Sequence, residues 1–250
     1  MNSSIYEPAE DSYLLQESLK EYLSDLIVKD KNKICYRSFS NQKPLNSPAN
    51  ITNINNTNDK LKNKSFSNQK PPYSPVNITD TKEIKSIKIL DMGSGSGIQA
   101  KTCRELGFNN VLAADINPEA IKELKKQKIN VIHSDLFSKI DNKEKFNLII
   151  FNPPYLPEDN DEPVDSKTAT TAGKHGYELI IKFLKQAKTH LEKDGVILLL
   201  FSSLSKPNII KEQAKQMNYK MKLLKRQKLF FEELFVYELY QSSFQISLYF

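Results

Sequence analysis

The segment Asn152-Pro153-Pro154-Tyr155 carries the residue types best suited to chemistry, and it follows the apolar stretch Phe146–Phe151. Proline has no backbone N–H to donate, so two prolines after a strand end the hydrogen-bonded ladder and leave carbonyl groups free. The side-chain oxygen of Asn152 and the carbonyl of Pro153 then form two acceptors at one point, beside the aromatic ring of Tyr155. Two acceptors next to a ring suit a planar, neutral –NH2 group, and we expect such a group as the reacting partner. A rigid turn without chemistry is the alternative.

A glycine-rich turn, DMGSGSG at residues 91–97, follows another apolar stretch and holds three of the seven glycines of the chain. Glycine adopts positive φ and lets the backbone approach a ligand with no Cβ between them. The spacing is G-x-G-x-G, whereas the dinucleotide fingerprint G-x-G-x-x-G would place its third glycine at Ile98. The turn is therefore typical of a nucleotide-binding loop, with an ordinary flexible turn as the alternative.

Two more acidic residues follow apolar stretches. Asp115 ends the next one, where a carboxylate accepts hydrogen bonds from ribose hydroxyls; the alternative is an Asp that caps the helix starting at Pro118. Asp135 follows the third apolar stretch, where it would accept a hydrogen bond from an adenine amino group while Leu136 packs on the adenine ring. The alternative is an Asp in an ordinary turn. All of these positions in order indicate a ligand site more strongly than any one of them.

The elements that position these residues alternate between strand and helix. Continuous apolar stretches predict buried strands over Ile87–Met92, Val111–Asp115, Asn130–Ser134, Phe146–Phe151 and Gly195–Phe201, with a closing hairpin strand at Leu229–Tyr240. Helical periodicity predicts helices over Glu10–Val28, Ile98–Leu106, Pro118–Lys126, Tyr177–Leu191 and Ile209–Met217. This order predicts a doubly wound, largely parallel α/β sheet, in which ligands bind at the carboxyl ends of the strands.

Residues 31–82 differ from the rest of the chain. They hold nine basic and two acidic residues, so the remainder has 27 basic and 28 acidic residues and is nearly neutral. A 17-residue segment beginning at Arg37 recurs from Lys64 with twelve identities. Such polar sequence buries too little apolar surface to offset its ordering entropy, so we interpret 31–82 as a duplicated, disordered insertion in a single domain spanning 1–250. Because the basic excess lies there, it does not indicate that the domain binds nucleic acid.

Composition excludes several other classes. Two cysteines without a C-x-x-C spacing do not support a disulfide scaffold or a zinc site, and we expect no metal. The longest apolar run, Val196–Phe201, is too short to span a bilayer, and the first residues show no signal-peptide pattern. We therefore expect a cytoplasmic protein with no membrane contact.

Four motifs, taken together and in order, resemble a known family. IKILDMGSGSG, VLAADINPEA, IHSDLF and FNPPY are similar to the S-adenosylmethionine-dependent methyltransferases of the HemK type, which methylate the side-chain amide of protein glutamine. The segment YEPAEDS at residues 6–12 resembles the short archaeal and eukaryotic branch that acts on release factors. The resemblance implies the class I methyltransferase Rossmann-like fold: a seven-stranded, mostly parallel sheet with a C-terminal antiparallel hairpin and helices on both faces.

The resemblance also implies roles for individual residues. Asn152 and Pro153 would orient the glutamine amide, with Tyr155 flanking it. The residues that would bind S-adenosylmethionine are Ser12, Asp91 and Gly93 at its methionine part, Asp115 at its ribose, Asp135 and Leu136 at its adenine, and also Gly95 and Asn152. The implied substrate is the Gly-Gly-Gln loop of a translation release factor, and the implied partner is a small zinc-binding activator subunit.

Catalysis by positioning is expected. None of His133, His175 and His190 lies at a predicted strand end, and no base is evident beside Asn152. Three alternatives stay open: an adenine-N6 methyltransferase of RNA or DNA, whose exocyclic amine also suits this motif, a non-enzymatic scaffold, and a lysine methyltransferase. The near-neutral charge of the domain disfavours the nucleic-acid methyltransferase, and the intact glycine loop disfavours the scaffold. The lysine methyltransferase is disfavoured because no base is evident that could deprotonate an ammonium group.

Overall fold

The computed structural model describes residues 7–40, 84, 86–156 and 174–241. Seven strands form one sheet in the order β3-β2-β1-β4-β5-β7-β6, in which β7 runs antiparallel to both of its neighbours. The strands are β1 Ile89–Met92, β2 Val111–Asp115, β3 Val131–His133, β4 Phe146–Phe151, β5 Leu191–Ser202, β6 Tyr219–Lys228 and β7 Glu233–Gln241. The α-helices are α1 Glu10–Ser40, α2 Ile98–Glu105, α3 Pro118–Lys126, α4 Glu178–His190 and α5 Pro207–Gln216.

Helices cover both faces of the sheet, as predicted. One apolar layer joins the sheet to α4 and α5 through residues such as Phe183 and Ile210. The other joins it to α1, α2 and α3 through residues such as Leu15, Cys103 and Leu124. The central strands β1, β4 and β5 are buried on both sides, which explains their continuous apolar sequences. Each large aliphatic side chain buried here contributes about 1.5–3 kcal/mol.

The predicted fold class is confirmed, and most element boundaries differ by a few residues or less. Strands β2 and β4 and helix α3 have the predicted bounds. Strand β6 has no counterpart among the predicted strands, because it is an edge strand in which the exposed residues Lys220, Lys222 and Lys228 interrupt the apolar sequence. Of the aromatic residues near the hairpin, Phe235 and Tyr237 pack in the sheet, whereas Phe230 and Phe231 on the turn are 92% and 85% exposed.

Helix α1 is longer than predicted. It continues to Ser40, so the boundary expected at residue 31 falls inside a helix. Residues 31–40 contain neither proline nor glycine, and nothing in their sequence ends a helix. The rest of the predicted insertion lies outside the described residues, and its separate character stays a prediction.

The chain reverses its direction of travel across the sheet between β3 and β4. From β1 it proceeds outward to β2 and β3, and it then returns to the other side of β1 to form β4 and β5. A crevice forms at such a switch point, outside the carboxyl ends of the strands. The residues 93–97 after β1, Ile116 after β2 and Asn152 after β4 therefore meet at one edge.

Within the described ranges, no helix is long and apolar enough to cross a membrane. The same ranges contain no group of three or more His, Cys, Asp or Glu side chains arranged to hold a metal ion. Cys103 is unpaired and buried, and burial raises the pKa of its thiol far above the usual value, so the thiol stays protonated.

Candidate active site

The glycine loop is shaped by the carboxylate of Asp91 near the end of β1. Its Oδ2 accepts hydrogen bonds from Ser94 Oγ at 2.6 Å and from the Ala100 backbone N–H at 3.0 Å, which ties the loop to the first turn of α2. Gly93, Gly95 and Gly97 adopt φ values of +60°, +52° and +81°. The loop therefore takes the left-handed conformations that glycine allows, as its sequence indicates.

Asp91 is almost completely buried, and this changes its titration. Burial raises the pKa of its carboxyl from 3.8 to about 7; the hydrogen bonds from Ser94 and Ala100 offset part of the rise, and the charge of Asp115 adds a little to it. Because both of these hydrogen-bond partners are neutral, the charged form lacks a compensating cation from them. A positively charged group of a ligand would stabilise that form.

Asp115 connects the second strand end to the glycine loop. Its Oδ2 accepts from the Gly95 backbone N–H and its Oδ1 from the Asn117 backbone N–H, both at 2.8 Å. The alternative role, capping α3, belongs instead to Asn117, whose side-chain oxygen accepts from Glu119 N–H at 2.9 Å. A carboxylate has about four acceptor positions. Asp115 is therefore fixed by two of them and retains capacity for ligand hydroxyls.

Asp135 and Leu136 follow β3 beside this edge. The Ser134 backbone N–H donates to the Asp115 carbonyl at 2.8 Å, which brings the two strand ends together. Leu136 is buried with a φ of +49°, and its carbonyl accepts from Ser134 Oγ. Asp135 forms an ion pair with Lys182 of α4 at 2.9 Å, which the sequence did not indicate.

Asn152 begins the acceptor turn, residues 152–155, and lies next to the glycine loop because Phe151, the residue before it, pairs with Met92 of β1. Its Nδ2 donates to Asp11 Oδ2 at 3.0 Å. Its Oδ1 is buried and has no hydrogen-bond partner among the described residues. A buried acceptor left without a donor costs about 1–3 kcal/mol, so this oxygen is suited to a donor from a ligand.

The prolines and the tyrosine complete the turn. Pro153 is buried, and Tyr155 is half-buried against the apolar layer that includes α1. The Tyr155 carbonyl accepts from Ser205 Oγ at 2.9 Å, in the short helix that follows β5. This turn is thus held at both ends, by Asp11 at Asn152 and by Ser205 at Tyr155.

The start of α1 reaches this edge of the sheet and contributes Asp11 and Ser12 to the site. Ser12, a predicted ligand residue, is buried and donates its backbone N–H to Asp11 Oδ1 at 2.6 Å. The Ser12 carbonyl accepts from Gln99 Nε2 of α2 at 2.9 Å. Asp11 and Gln99 are the missed residues. Asp11 lies within the YEPAEDS motif, and Gln99 follows the glycine loop by two positions, so both carried a usable signal.

Each histidine is engaged elsewhere. His133 Nε2 is 2.8 Å from the Ile116 carbonyl, and His190 Nδ1 is 3.0 Å from the Glu144 carbonyl while its ring stacks on Phe137. The backbone N–H of His175 donates to Glu178, and its ring stacks on Tyr177. The arrangement around Asn152 therefore favours orientation of a substrate over proton abstraction by histidine.

The strand order, the glycine loop after β1 and the acidic end of β2 together define a methyltransferase of the Rossmann-like class. The comparison with family models agrees. Residues 76–228 match the Methyltransferase small domain family, and the chain belongs to that family.

Several proteins similar to this chain are glutamine methyltransferases by name. A candidate protein N5-glutamine methyltransferase of Methanocaldococcus jannaschii is 35% identical over 162 residues, 62% of this chain and 81% of that protein. The release factor glutamine methyltransferase of Fusobacterium nucleatum is 38% identical over 119 residues, 40% of this chain and 34% of that protein, so the chain spans about a third of its length. A chain of the E. cuniculi Mtq2–Trm112 complex shares the fold with a TM-score of 0.57 at 20% identity, over 96% of this chain and 100% of that one. The family predicted from the motifs is confirmed.

Proposed function

We propose that this protein transfers a methyl group from S-adenosylmethionine to the side-chain amide nitrogen of a protein glutamine, in the Gly-Gly-Gln loop of a translation release factor. The observation that carries the proposal is the buried Oδ1 of Asn152, which has no partner among the described residues and lies beside Pro153. The names of the Methanocaldococcus and Fusobacterium relatives support glutamine as the acceptor, and the second also supports the release factor.

The acceptor turn acts by orientation. Asn152 Oδ1 and the Pro153 carbonyl would accept the two hydrogens of the glutamine –NH2 group and so fix the position of its nitrogen. An amide nitrogen is a weak nucleophile, so holding it in line is worth a large share of the rate. As the nitrogen gains positive charge, the same two oxygens stabilise it, and the surplus proton leaves to water afterwards.

The loop side of the site, formed by Asp91, the glycine loop and Asp115, has the polar groups that the methyl donor requires. A Cβ added to Gly95 would meet no atom within 4 Å, so the backbone there borders open space in which a ligand could lie. Buried Asp91 suits the ammonium of the methionine part, and Asp115 keeps acceptor capacity for the ribose hydroxyls. Bound S-adenosylmethionine would supply a methyl group activated by the sulfonium, and the break of its S–CH3 bond would leave S-adenosylhomocysteine. The remaining residues assigned to it are Ser12, Gly93, Asp135 and Leu136.

We also propose that this protein acts together with a small partner subunit. The E. cuniculi neighbour is a complex of two proteins, Mtq2 and Trm112, which methylates the eRF1 translation termination factor. We extend this arrangement to the present chain and infer a small zinc-binding activator, whose zinc-binding character is implied by the motif resemblance.

The test is methyl transfer from labelled S-adenosylmethionine to two acceptors, the release factor and total RNA of the same organism, with and without the candidate partner subunit. Wild type is compared with Asn152→Ala and with Asn142→Ala, which changes an exposed asparagine that is not among the predicted site residues. Label on the Gly-Gly-Gln glutamine, mapped by mass spectrometry and lost only in Asn152→Ala, supports the proposal. Label on adenine in RNA, or no label with the partner present, overturns it.

A further inference from the structure

An asparagine amide presents a different group at each end, and only one orientation serves the reaction. If the side chain of Asn152 were rotated by 180°, its –NH2 would face the –NH2 of the substrate, and two donors would oppose each other. The two orientations occupy nearly the same volume, so packing alone does not choose between them. Some neighbouring group must select the orientation that leaves the oxygen towards the substrate.

The carboxylate of Asp11 has the chemistry for this selection. A carboxylate only accepts hydrogen bonds, so at 3.0 Å from its Oδ2 it must face the –NH2 end of Asn152. The carboxylate is itself held, because its Oδ1 accepts from Ser12 N–H at 2.6 Å and from Ser12 Oγ at 3.3 Å. Asp11 is 4% exposed, so water competes little for these bonds.

The free end of the amide agrees with this orientation. With Nδ2 turned to Asp11, the buried Oδ1 of Asn152 is the end that has no partner among the described residues. The pair spans 141 positions of the sequence, and it joins the first turn of α1 to the end of β4. The bond between Asp11 and Asn152 therefore connects two distant elements and is not a local helix cap.

We propose that Asp11 is a positioning residue, which locks the amide of Asn152 with its oxygen towards the reacting –NH2 group. This inference rests on the proposed function. Asp11 acts through Asn152 and needs no contact with the substrate.

The substitution Asp11→Asn gives the sharpest test. Ser12 N–H requires an oxygen at the Oδ1 position, so the new –NH2 group takes the Oδ2 position and faces Asn152. Asn152 must then rotate to present its oxygen to position 11, which turns its –NH2 towards the substrate. In Asp11→Ala the amide is merely free to rotate. We expect kcat to fall about 10²-fold or more in Asp11→Asn but only about tenfold in Asp11→Ala.

This rank order separates positioning from a structural role. A residue needed only for its shape or its contact with Ser12 would be replaced better by asparagine than by alanine. The exposed first-turn residue Glu10 provides the matched control, since Glu10→Gln removes a charge at the same helix end without touching Asn152. We expect Glu10→Gln to keep the wild-type kcat and the wild-type dissociation constant for S-adenosylhomocysteine, and Asp11→Asn to keep that dissociation constant because asparagine retains an oxygen for Ser12.

Exchanging the two side chains restores the geometry. In the double variant Asp11→Asn/Asn152→Asp, the amide at position 11 donates to one oxygen of the new carboxylate, and the other oxygen faces the substrate. We expect kcat to recover at least about tenfold relative to Asp11→Asn alone. A loss in Asp11→Ala as large as in Asp11→Asn, or no recovery in a folded double variant, overturns the proposal.

A measurement without substrate keeps this inference separate from the proposed function. The side-chain –NH2 signal of Asn152 in a ¹⁵N spectrum is assigned by its loss in Asn152→Asp. We expect its protons to exchange with water at least about tenfold faster in Asp11→Ala than in wild type, and to be unchanged in Glu10→Gln. Equal exchange in wild type and Asp11→Ala would overturn the positioning role, whichever acceptor the enzyme methylates.

Discussion

The two halves of the site use their polar groups differently. On the loop side, the carboxylates of Asp91 and Asp115 accept hydrogen bonds from the loop and the residues that follow it. On the acceptor side, Asn152 is held by Asp11 at one end of its amide, while the oxygen at the other end has no partner among the described residues. The loop side is thus shaped by the chain itself, whereas the acceptor side keeps one strong bond for the substrate. Substitutions on the two sides should consequently affect different constants.

The largest effect is expected for Asn152→Ala. Removing the acceptor should lower kcat by about 10²–10³-fold, because the bond to the substrate strengthens as charge develops. The affinity for S-adenosylhomocysteine should stay within about threefold of wild type, because Asn152 would supply only one contact to the donor, whereas those of Asp91 and Asp115 remain. Single-turnover kinetics and titration calorimetry measure the two quantities. A loss of affinity comparable to the loss of rate would contradict the division of the site.

Asp115→Ala should lower the affinity for the methyl donor and leave kcat unchanged, the reverse of Asn152→Ala. The loss of a charged acceptor for the ribose and of the support for Gly95 should weaken donor binding by about 10–100-fold. At saturating donor, kcat should remain near that of wild type. Calorimetry with S-adenosylhomocysteine checks the first expectation, and turnover at increasing donor concentration the second. Exposed Asp141, changed to alanine, is the control.

Asp91 should make donor affinity depend on pH. Its raised pKa of about 7 means that the folded chain keeps the proton which the unfolded chain releases near pH 4. Its contribution to the free energy of unfolding is therefore greatest below about pH 4, falls between pH 4 and 7, and is constant above. The charged form binds an ammonium group, so affinity should rise on the order of tenfold from pH 5.5 to pH 7.5. In Asp91→Asn both dependences should vanish; their persistence there would assign them to another group.

The smallest effect is expected at the rim of the loop side. The ion pair between Lys182 and Asp135 is half-exposed, and such pairs contribute about 0–1 kcal/mol. Lys182→Ala should therefore change donor affinity by no more than about fivefold and the unfolding free energy by less than about 1 kcal/mol. Thermal unfolding at low and high salt measures the second. A large loss would show that the pair orients Asp135 within the site.

The central sheet was predictable because burial on both faces leaves a continuous apolar signature. Strands β2 and β4 were located to the residue for this reason, and their carboxyl ends indicated where the site lies. Strand β6 escaped because it lies at the sheet edge, where lysine is tolerated and pairing with β7 supplies its order. Its alternation of lysine and apolar residues near Tyr219 was a strand signal that could have been used.

The site was predictable as a set of strand ends but not as a network. The bond between Gly95 and Asp115 follows from neighbouring parallel strands. The bond between Asp11 and Asn152 depends on how α1 packs across the edge, which no local pattern encodes. The length of α1 was also missed, since composition after residue 30 suggested disorder where no residue stops a helix.

The link between the two ends of the site also sets an order of events during protein synthesis. Asp11 leaves the ribosome first, and its partner Asn152 is added 141 residues later. Until β4 has emerged and paired beside β1, the nascent chain has no acceptor turn for the helix start to hold. A partly synthesised chain therefore cannot orient an amide, and the enzyme becomes competent only after most of its sheet exists.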